Sequence, residues 1–329
     1  MQGSLLSNRI IINASAAKYG GAKTIVESFV SWIAEGDKDS HFILLAPHKP
    51  ELLPANVDFV QKETSGIWTL LFSCLGILWP CIKYRASHCI SFNNVNLLLP
   101  ICRRVTYFHQ AKVFTEKSLR FRLIASAIHL LRGSTIVIQS PLIQQRFAAK
   151  FSSNYRYLVK WPGIKPEEPP SEPVSINPFE QDEVVILWPV TDPTVSQKNL
   201  AWFEANSDWL LAHHVRLLVT SSQKVVVPNA LALGQISRAQ LFDLYRRVNA
   251  VLIVSTEETI CLPIFEAASV GAKVLVLNRP YIEAIKNWRG LPQKVQCFDD
   301  VNQLELMAYS VNEAAVEEAD YFKPDWRIY

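Results

Sequence analysis

The chain has 329 residues, 49% hydrophobic and 19% charged, a length sufficient for two domains with separate cores and a composition within globular limits. Its net charge of +3 conceals a split: residues 1–165 carry 20 Lys+Arg against 8 Asp+Glu (+12), and residues 166–329 carry 13 against 22 (−9), so the two halves are expected to face different partners. Six cysteines (Cys74, Cys81, Cys89, Cys102, Cys261, Cys297) show no C-x-x-C spacing, which argues against a zinc site and for burial in a reducing cytoplasm, and the first residues lack the charged start and apolar core of a signal peptide.

Residues 10–13 and 42–46 read as short buried strands, with helical spacing over 24–34 between them. Tyr19-Gly20-Gly21-Ala22-Lys23 lies after the first strand. Glycines there let the backbone approach a ligand, and a following helix start offers N–H groups to phosphate; a simple tight turn is the other reading. The G-x-G-x-x-G spacing of a dinucleotide site is absent. Asp37-Lys38-Asp39, the only Asp-x-Asp here, falls in a surface turn and is expected to be solvated, so no metal is expected.

Residues 64–82 carry no charge and are mostly apolar, nearly long enough to span a bilayer. Gly76, Pro80, Thr69 and Ser73 favour a buried or membrane-touching helix over a spanning one. A strand from Val105 ends in Tyr107-Phe108-His109-Gln110. His109 therefore stands at a strand's C-terminal end, where open α/β sheets bind ligands, although most single histidines are structural. Around it, Arg103, Arg104, Lys112, Lys117, Arg120, Arg122 and Arg132 are relieved only by Glu116 and interleave with Phe114, Leu119, Phe121 and Leu123. That mixture suits an anionic membrane surface, and no nucleic-acid motif accompanies it; a solvated face is the plainer alternative.

The proline-dense stretch 162–173 reads as a hinge. A second strand–helix alternation follows, with strands over 184–187, 215–220, 250–254 and 273–277. Two parallel α/β domains with a ligand in the cleft between them are the natural architecture. Lys198, after a polar loop, is expected at a helix start, where it can neutralise a leaving pyrophosphate. After the strand at 251–254, a polar turn carries Glu258, Pro263 opens a helix, and Glu266 closes its first turn. Helical side chains lean toward the N-terminus, so Glu266 is expected to point toward the Glu258 loop, giving two carboxylates beside a helix start that attracts anions. Carboxylates bind sugar hydroxyls and a helix start binds phosphate. The alternative is a Glu that only complements the helix dipole.

Residues 255–271, STEETICLPIFEAASVG, resemble the E-x7-E signature of family four of the retaining glycosyltransferases, which have the GT-B fold. Leu233-Gly234-Gln235-Ile236-Ser237, the stretch 241–245 and Pro280-Tyr281 resemble further parts of its donor site. The likeness is specific over roughly 180–290 and looser over 10–165. It implies an α/β chain of two Rossmann-like domains facing a cleft: 1–165 binding acceptor, 166–180 a hinge, 181–310 binding nucleotide sugar, and a tail, 311–329, crossing back.

The resemblance further implies a metal-independent hexosyltransferase that retains anomeric configuration, using a nucleotide-diphosphate sugar and no cofactor. Glu266 would hold the ribose, Glu258 the hexose, Ile236 the base, Lys198 the leaving phosphate, and His109 the sugar; Gly20, Gly21, Cys261 and Leu262 would line the donor. The acceptor would be a glycan or polyprenyl-diphosphate-linked glycan of O-antigen, capsule or lipopolysaccharide assembly, at the cytoplasmic face of the membrane. The chain departs from the family at two places: Trp188-Pro189-Val190 stands where glycine and arginine are usual, and Thr259-Ile260-Cys261 replaces Gly-Phe-Gly. A catalytically inactive GT-B protein and a two-domain oxidoreductase are the rival readings.

Overall fold

The computed structural model describes residues 8–151, 154–176, 183–304 and 322–329. They form two compact units, Met1–Gly163 with Lys323–Tyr329, and Ile164–Phe322. The expected helix at the start of the tail, 311–321, lies outside the described residues.

The first unit is built on a parallel sheet of strands β1 (Arg9–Asn13), β2 (His41–Ala46), β3 (Val57–Gln61), β4 (His88–Ser91), β5 (Arg103–Phe108), β6 (Thr135–Ile138) and β7 (Arg156–Val159). Their order in the sheet is β3-β2-β1-β4-β5-β6-β7. Continuous apolar runs such as Ile10–Ile12 are buried because helices cover both faces of a parallel sheet. The order reverses direction between β1 and β4, which is where open α/β sheets form ligand crevices at their C-terminal ends. The first helix runs Gly20–Gly36, so the two glycines open it rather than precede it.

Asp37, expected in a solvated turn, is instead an anchor. Its carboxylate accepts from the Asp39 and Ser40 amides and, at 2.6 Å, from the Tyr329 hydroxyl. Tail residue Trp326 is fully buried among Phe29, Phe92 and Tyr107, and its Nε1 donates to Ser28 Oγ at 3.0 Å. Lys160 and Asp325 pair at 2.9 Å beside it. Residues 323–329 therefore pack with the first unit, and Trp326 and Ile328 enter its core.

The second unit holds a parallel sheet of β8 (Val184–Trp188), β9 (Val215–Val219), β10 (Ala230–Ala232), β11 (Ala250–Ile253), β12 (Val274–Leu277) and β13 (Val295–Phe298), ordered β10-β9-β8-β11-β12-β13. Here the direction reverses between β8 and β11. The described part of the proline-rich stretch is bonded to this unit. Prolines lack N–H donors, but their neighbours' carbonyls can accept. Lys165 O accepts from Arg238, Glu167 O from Arg246, Glu172 O from Gln240 and Val174 O from Arg247, which fastens residues 165–174 along one helix, Arg238–Arg247.

Candidate functional site

The site is assembled where β8 and β11 end. After β11 the chain stays buried through Val254 and Ser255, and two hydrogen bonds tie it to the loop after β8. Thr256 N donates to Gln197 O at 2.8 Å, and Asn199 Nδ2 donates to Val254 O at 3.0 Å. Lys198 lies between those two anchors. It ends a short 3-10 turn, Ser196–Lys198, rather than starting a helix, because Asn199 takes the left-handed conformation (φ 64°). The anchored lysine reaches Glu258, with Nζ 2.5 Å from Oε1 and side chains 29% and 15% exposed. Burial, the largest single influence, pulls the Lys198 ammonium toward neutrality, but the charge and hydrogen bond of Glu258 together with Cys261 outweigh it and hold the group above the ordinary lysine value.

Pro263 stands in the first turn of the Leu262–Ser269 helix, as its fixed φ favours. The residue before that helix, Cys261, sits in the left-handed region (φ 51°, ψ 68°). That region suits glycine, so this chain adopts a glycine-like backbone with a cysteine side chain, which is buried. Tyr281, from the helix that follows β12, is buried beside it, and burial followed by the charges of Cys261 and Glu258 raises its phenol well above the usual value. Arg279, the residue preceding that helix, acts on Tyr281 in the opposite sense.

Glu266 is only 6% exposed. Burial raises its pKa, partly opposed by Arg238, whose Nη2 lies 3.1 Å from Oε1. Arg238 is fixed from several sides: it opens a helix whose Ser237–Gln240 capping box satisfies the first free amides, its guanidinium lies over the Phe242 ring, and its Nη1 pairs with Glu167. Tyr245, on the same helix, keeps its hydroxyl buried with no hydrogen-bond partner among the described residues and feels the charge of Glu266. Ile236 is half-buried in a stretch held to the end of β9 by Leu233 N→Val219 O and Gly234 N→Ser221 O.

Thus Glu258, Lys198, Glu266, Cys261, Leu262 and Ile236 share the C-terminal edge of the second sheet. Gly20, Gly21 and His109 belong to the first unit, at the C-terminal ends of β1 and β5. Gly20 (φ 62°) and Gly21 are exposed, and no side chain caps their helix. His109 donates its backbone N–H to Asn94 Oδ1 at 2.8 Å, while its buried Nδ1 has no hydrogen-bond partner among the described residues. Burial pushes its imidazole down to about 4, so it is neutral at pH 7.

Sequence reasoning missed three features. Arg238 adjoins a quoted motif, but nothing local announces that it pairs with Glu266. Asn13, Ser15, Ser73 and Asn93 form a buried polar network where β1 and β4 end, with Asn93 Nδ2 bonding Asn13, Ser15 and Ser73 at 3.0–3.1 Å. Trp188, where the family that the sequence resembles usually has glycine and arginine, is a core residue whose ring centroid lies 4.4 Å from that of Phe203 at an interplanar angle of 39°, so an apolar side chain fills that position in place of a cation. Among the described residues, no three His, Cys, Asp or Glu side chains gather as a metal site requires.

No protein-family model matches the chain. No curated protein matches it either. Solved structures do. WaaG, a glycosyltransferase involved in lipopolysaccharide biosynthesis, aligns with a TM-score of 0.62 at 16% identity, covering 88% of this chain and 86% of its own. Sucrose-phosphate synthase from Thermosynechococcus elongatus aligns at 0.63 and 13%, covering 90% and 87%. Anabaena HepE in complex with UDP-glucose aligns at 0.58 and 11%, covering 84% and 82%. The chain has the GT-B fold. At these identities the likeness extends to fold alone, so the chemistry must be argued from the residues.

Proposed function

We propose that the chain is a glycosyltransferase that moves a hexose from a nucleotide-diphosphate sugar to a glycan or polyprenyl-diphosphate-linked glycan, with retention at the anomeric carbon and without a metal, in surface polysaccharide synthesis at the cytoplasmic face of the membrane. One observation carries the reading: two carboxylates, Glu258 and Glu266, each paired with a buried or half-buried cation, stand at one strand-to-helix bend on the C-terminal edge of a parallel sheet. The fold shared with glycosyltransferases, one of them holding UDP-glucose, supports it.

In this reading Glu266 accepts from the ribose hydroxyls and Glu258 from the hexose hydroxyls. Ile236 lies against the base, and the amides at Cys261 and Leu262 face the diphosphate. The bond from the anomeric carbon to the phosphate oxygen breaks with its electron pair on the diphosphate, and Lys198 stabilises that charge. The acceptor oxygen bonds to the same carbon, and its proton passes to the departing diphosphate. His109, neutral, contacts the sugar, and Gly20 and Gly21 approach the diphosphate. Arg279 is the candidate for the second cation, since Trp188 cannot serve.

A binding protein without turnover is the second reading, favoured by the engagement of both carboxylates in internal ion pairs. Assay of donor hydrolysis and transfer over a panel of nucleotide sugars separates the two. Turnover by the native chain, abolished in Glu258→Ala, supports the transferase. Donor binding with no turnover on any acceptor supports the second reading.

A further inference from the structure

The uncharged stretch near residue 70 forms one helical segment, Gly66–Lys83, built from a helix (Gly66–Leu71), a π turn (Phe72–Gly76) and a second helix (Leu78–Lys83). By length and composition it passes as a membrane span. Its setting argues otherwise. It connects β3 to β4, two strands of one parallel sheet, and Cys74, Ile77 and Cys81 are committed to the core beneath.

The segment is apolar on both faces, and its inward face also carries a buried polar residue. A surface helix usually turns apolar residues inward and polar ones to water. Here Ser73 is fully buried, and its hydroxyl accepts from Asn13 Nδ2 at 3.0 Å and Asn93 Nδ2 at 3.1 Å. The outward face carries Ile67, Trp68, Leu71, Leu75, Trp79 and Ile82, with Trp68 68% and Trp79 69% exposed. The spacing 68, 71, 75, 79, 82 places them on one stripe. The inward polar network fixes the rotation, so the apolar face cannot roll toward the core without unpairing buried amides.

This face extends beyond the helix. Leu98 N donates to Cys74 O at 3.1 Å, and the Cys102 thiol lies against Cys81, which hold the loop bearing exposed Leu99 and Ile101 alongside it. Arg104 ties the same loop to Arg132, close in sequence to exposed Leu130. Apolar surface on this scale marks a contact site. Its margins are basic: Lys62 lies over the Phe72 ring, Lys83 ends the helix and Arg85 follows it, and residues 1–165 carry a balance of +12 (20 Lys+Arg against 8 Asp+Glu).

We infer that this face docks the chain in the plane of an anionic lipid bilayer, with Trp68 and Trp79 at headgroup depth and the flanking cations on the lipid phosphates. Tryptophan combines an apolar ring with a polar N–H and suits that boundary, and cations at the rim complement anionic lipid. A second copy fits less well, since a two-fold contact would bring one basic rim against another. Docking itself needs no sugar donor; only its consequence, that a lipid-linked acceptor is met at the surface, rests on the transferase reading.

The test is co-sedimentation of the full chain with vesicles of phosphatidylcholine alone and of phosphatidylcholine mixed with phosphatidylglycerol. The proposal expects binding to the mixed vesicles that weakens as salt rises and falls at least about tenfold in Trp68→Glu/Trp79→Glu. Circular-dichroism melting of that variant should match the native chain, because both side chains are exposed. Trp68→Phe/Trp79→Phe should still bind while losing much of the fluorescence quenching caused by brominated acyl chains. No binding to the mixed vesicles would overturn the proposal, as would equal binding by the glutamate variant. So would light scattering that shows a dimer which the glutamate variant dissociates. None of these failures touches donor turnover, which is assayed without lipid.

Discussion

Lys198 Nζ meets Glu258 Oε1 across 60 residues of sequence, and the contact exists because Gln197 and Asn199, the neighbours of Lys198, are each bonded to the chain leaving β11. The ion pair is thus set by backbone stitching between adjacent strand ends. Either partner alone would leave a half-buried charge unmatched. Lys198→Met is expected to lower turnover about 100-fold or more, as removal of a charge-stabilising group does, and to lower stability by about 1–3 kcal/mol. Lys198→Met/Glu258→Gln should recover part of the stability and none of the turnover. A double-mutant cycle from denaturant unfolding checks this, and strictly additive losses would contradict the pairing.

Glu266 titrates differently. Its folded-state pKa is raised by burial, so between the unfolded value and the folded one the folded state binds more protons. The Glu266 contribution to stability is therefore fully present below the ordinary carboxylate value of 4.5 and is lost as pH rises through the folded pKa. Arg238 limits that loss. Arg238→Met should raise the Glu266 pKa further and steepen the fall in melting temperature as pH rises above 4.5, and Glu266→Gln in the same background should flatten it.

His109 has the opposite sign. Its pKa of about 4 lies below the unfolded value of 6.5, so the folded state binds fewer protons between them. Stability from the buried neutral ring is present above 6.5 and is lost as pH falls toward 4. Melting curves of His109→Gln should lack that component of the acid decline.

Cys261 offers a backbone test. Glycine there relieves a left-handed conformation that costs an L-residue about 1–2 kcal/mol but removes a buried side chain, so Cys261→Gly should change stability by about 1 kcal/mol or less. Cys261→Val adds a β-branched side chain at positive φ and should cost about 2 kcal/mol or more. Urea midpoints of the two variants should differ in that order.

Two of the C-terminal residues, Trp326 and Ile328, are core. Trp326→Ala removes a fully buried indole from the aromatic group of Phe29, Phe92 and Tyr107 and should cost about 3–5 kcal/mol. Equilibrium unfolding should show this, with a smaller loss for Tyr329→Phe, which deletes only the hydroxyl on Asp37.

Much of the architecture was legible because parallel strands are buried on both faces and read as apolar runs, as in residues 251–254. Pro263 marked its helix start for an equally local reason. The partners of the acidic residues were not legible. Arg238 lies 28 residues from Glu266 and Lys198 lies 60 from Glu258, and no local period encodes those meetings. The rotation of the Gly66–Lys83 segment was hidden for the same reason: Ser73 turns inward because Asn13 and Asn93 wait there. The proline-rich stretch read as a hinge because its composition is that of a linker, and only the side chains of the Arg238–Arg247 helix reveal that it is fastened.

The central claim is that the Glu258–Glu266 bend holds an activated sugar. Thermal denaturation of the full chain with a panel of nucleotide-diphosphate sugars tests it most directly, because a ligand of the folded state raises the melting temperature in step with its affinity. The account predicts that at least one donor raises the melting temperature of the native chain, and that Glu258→Ala and Glu266→Gln each shrink the shift while remaining folded. A panel in which no donor shifts the native chain, or in which both variants respond as the native chain does, would contradict it.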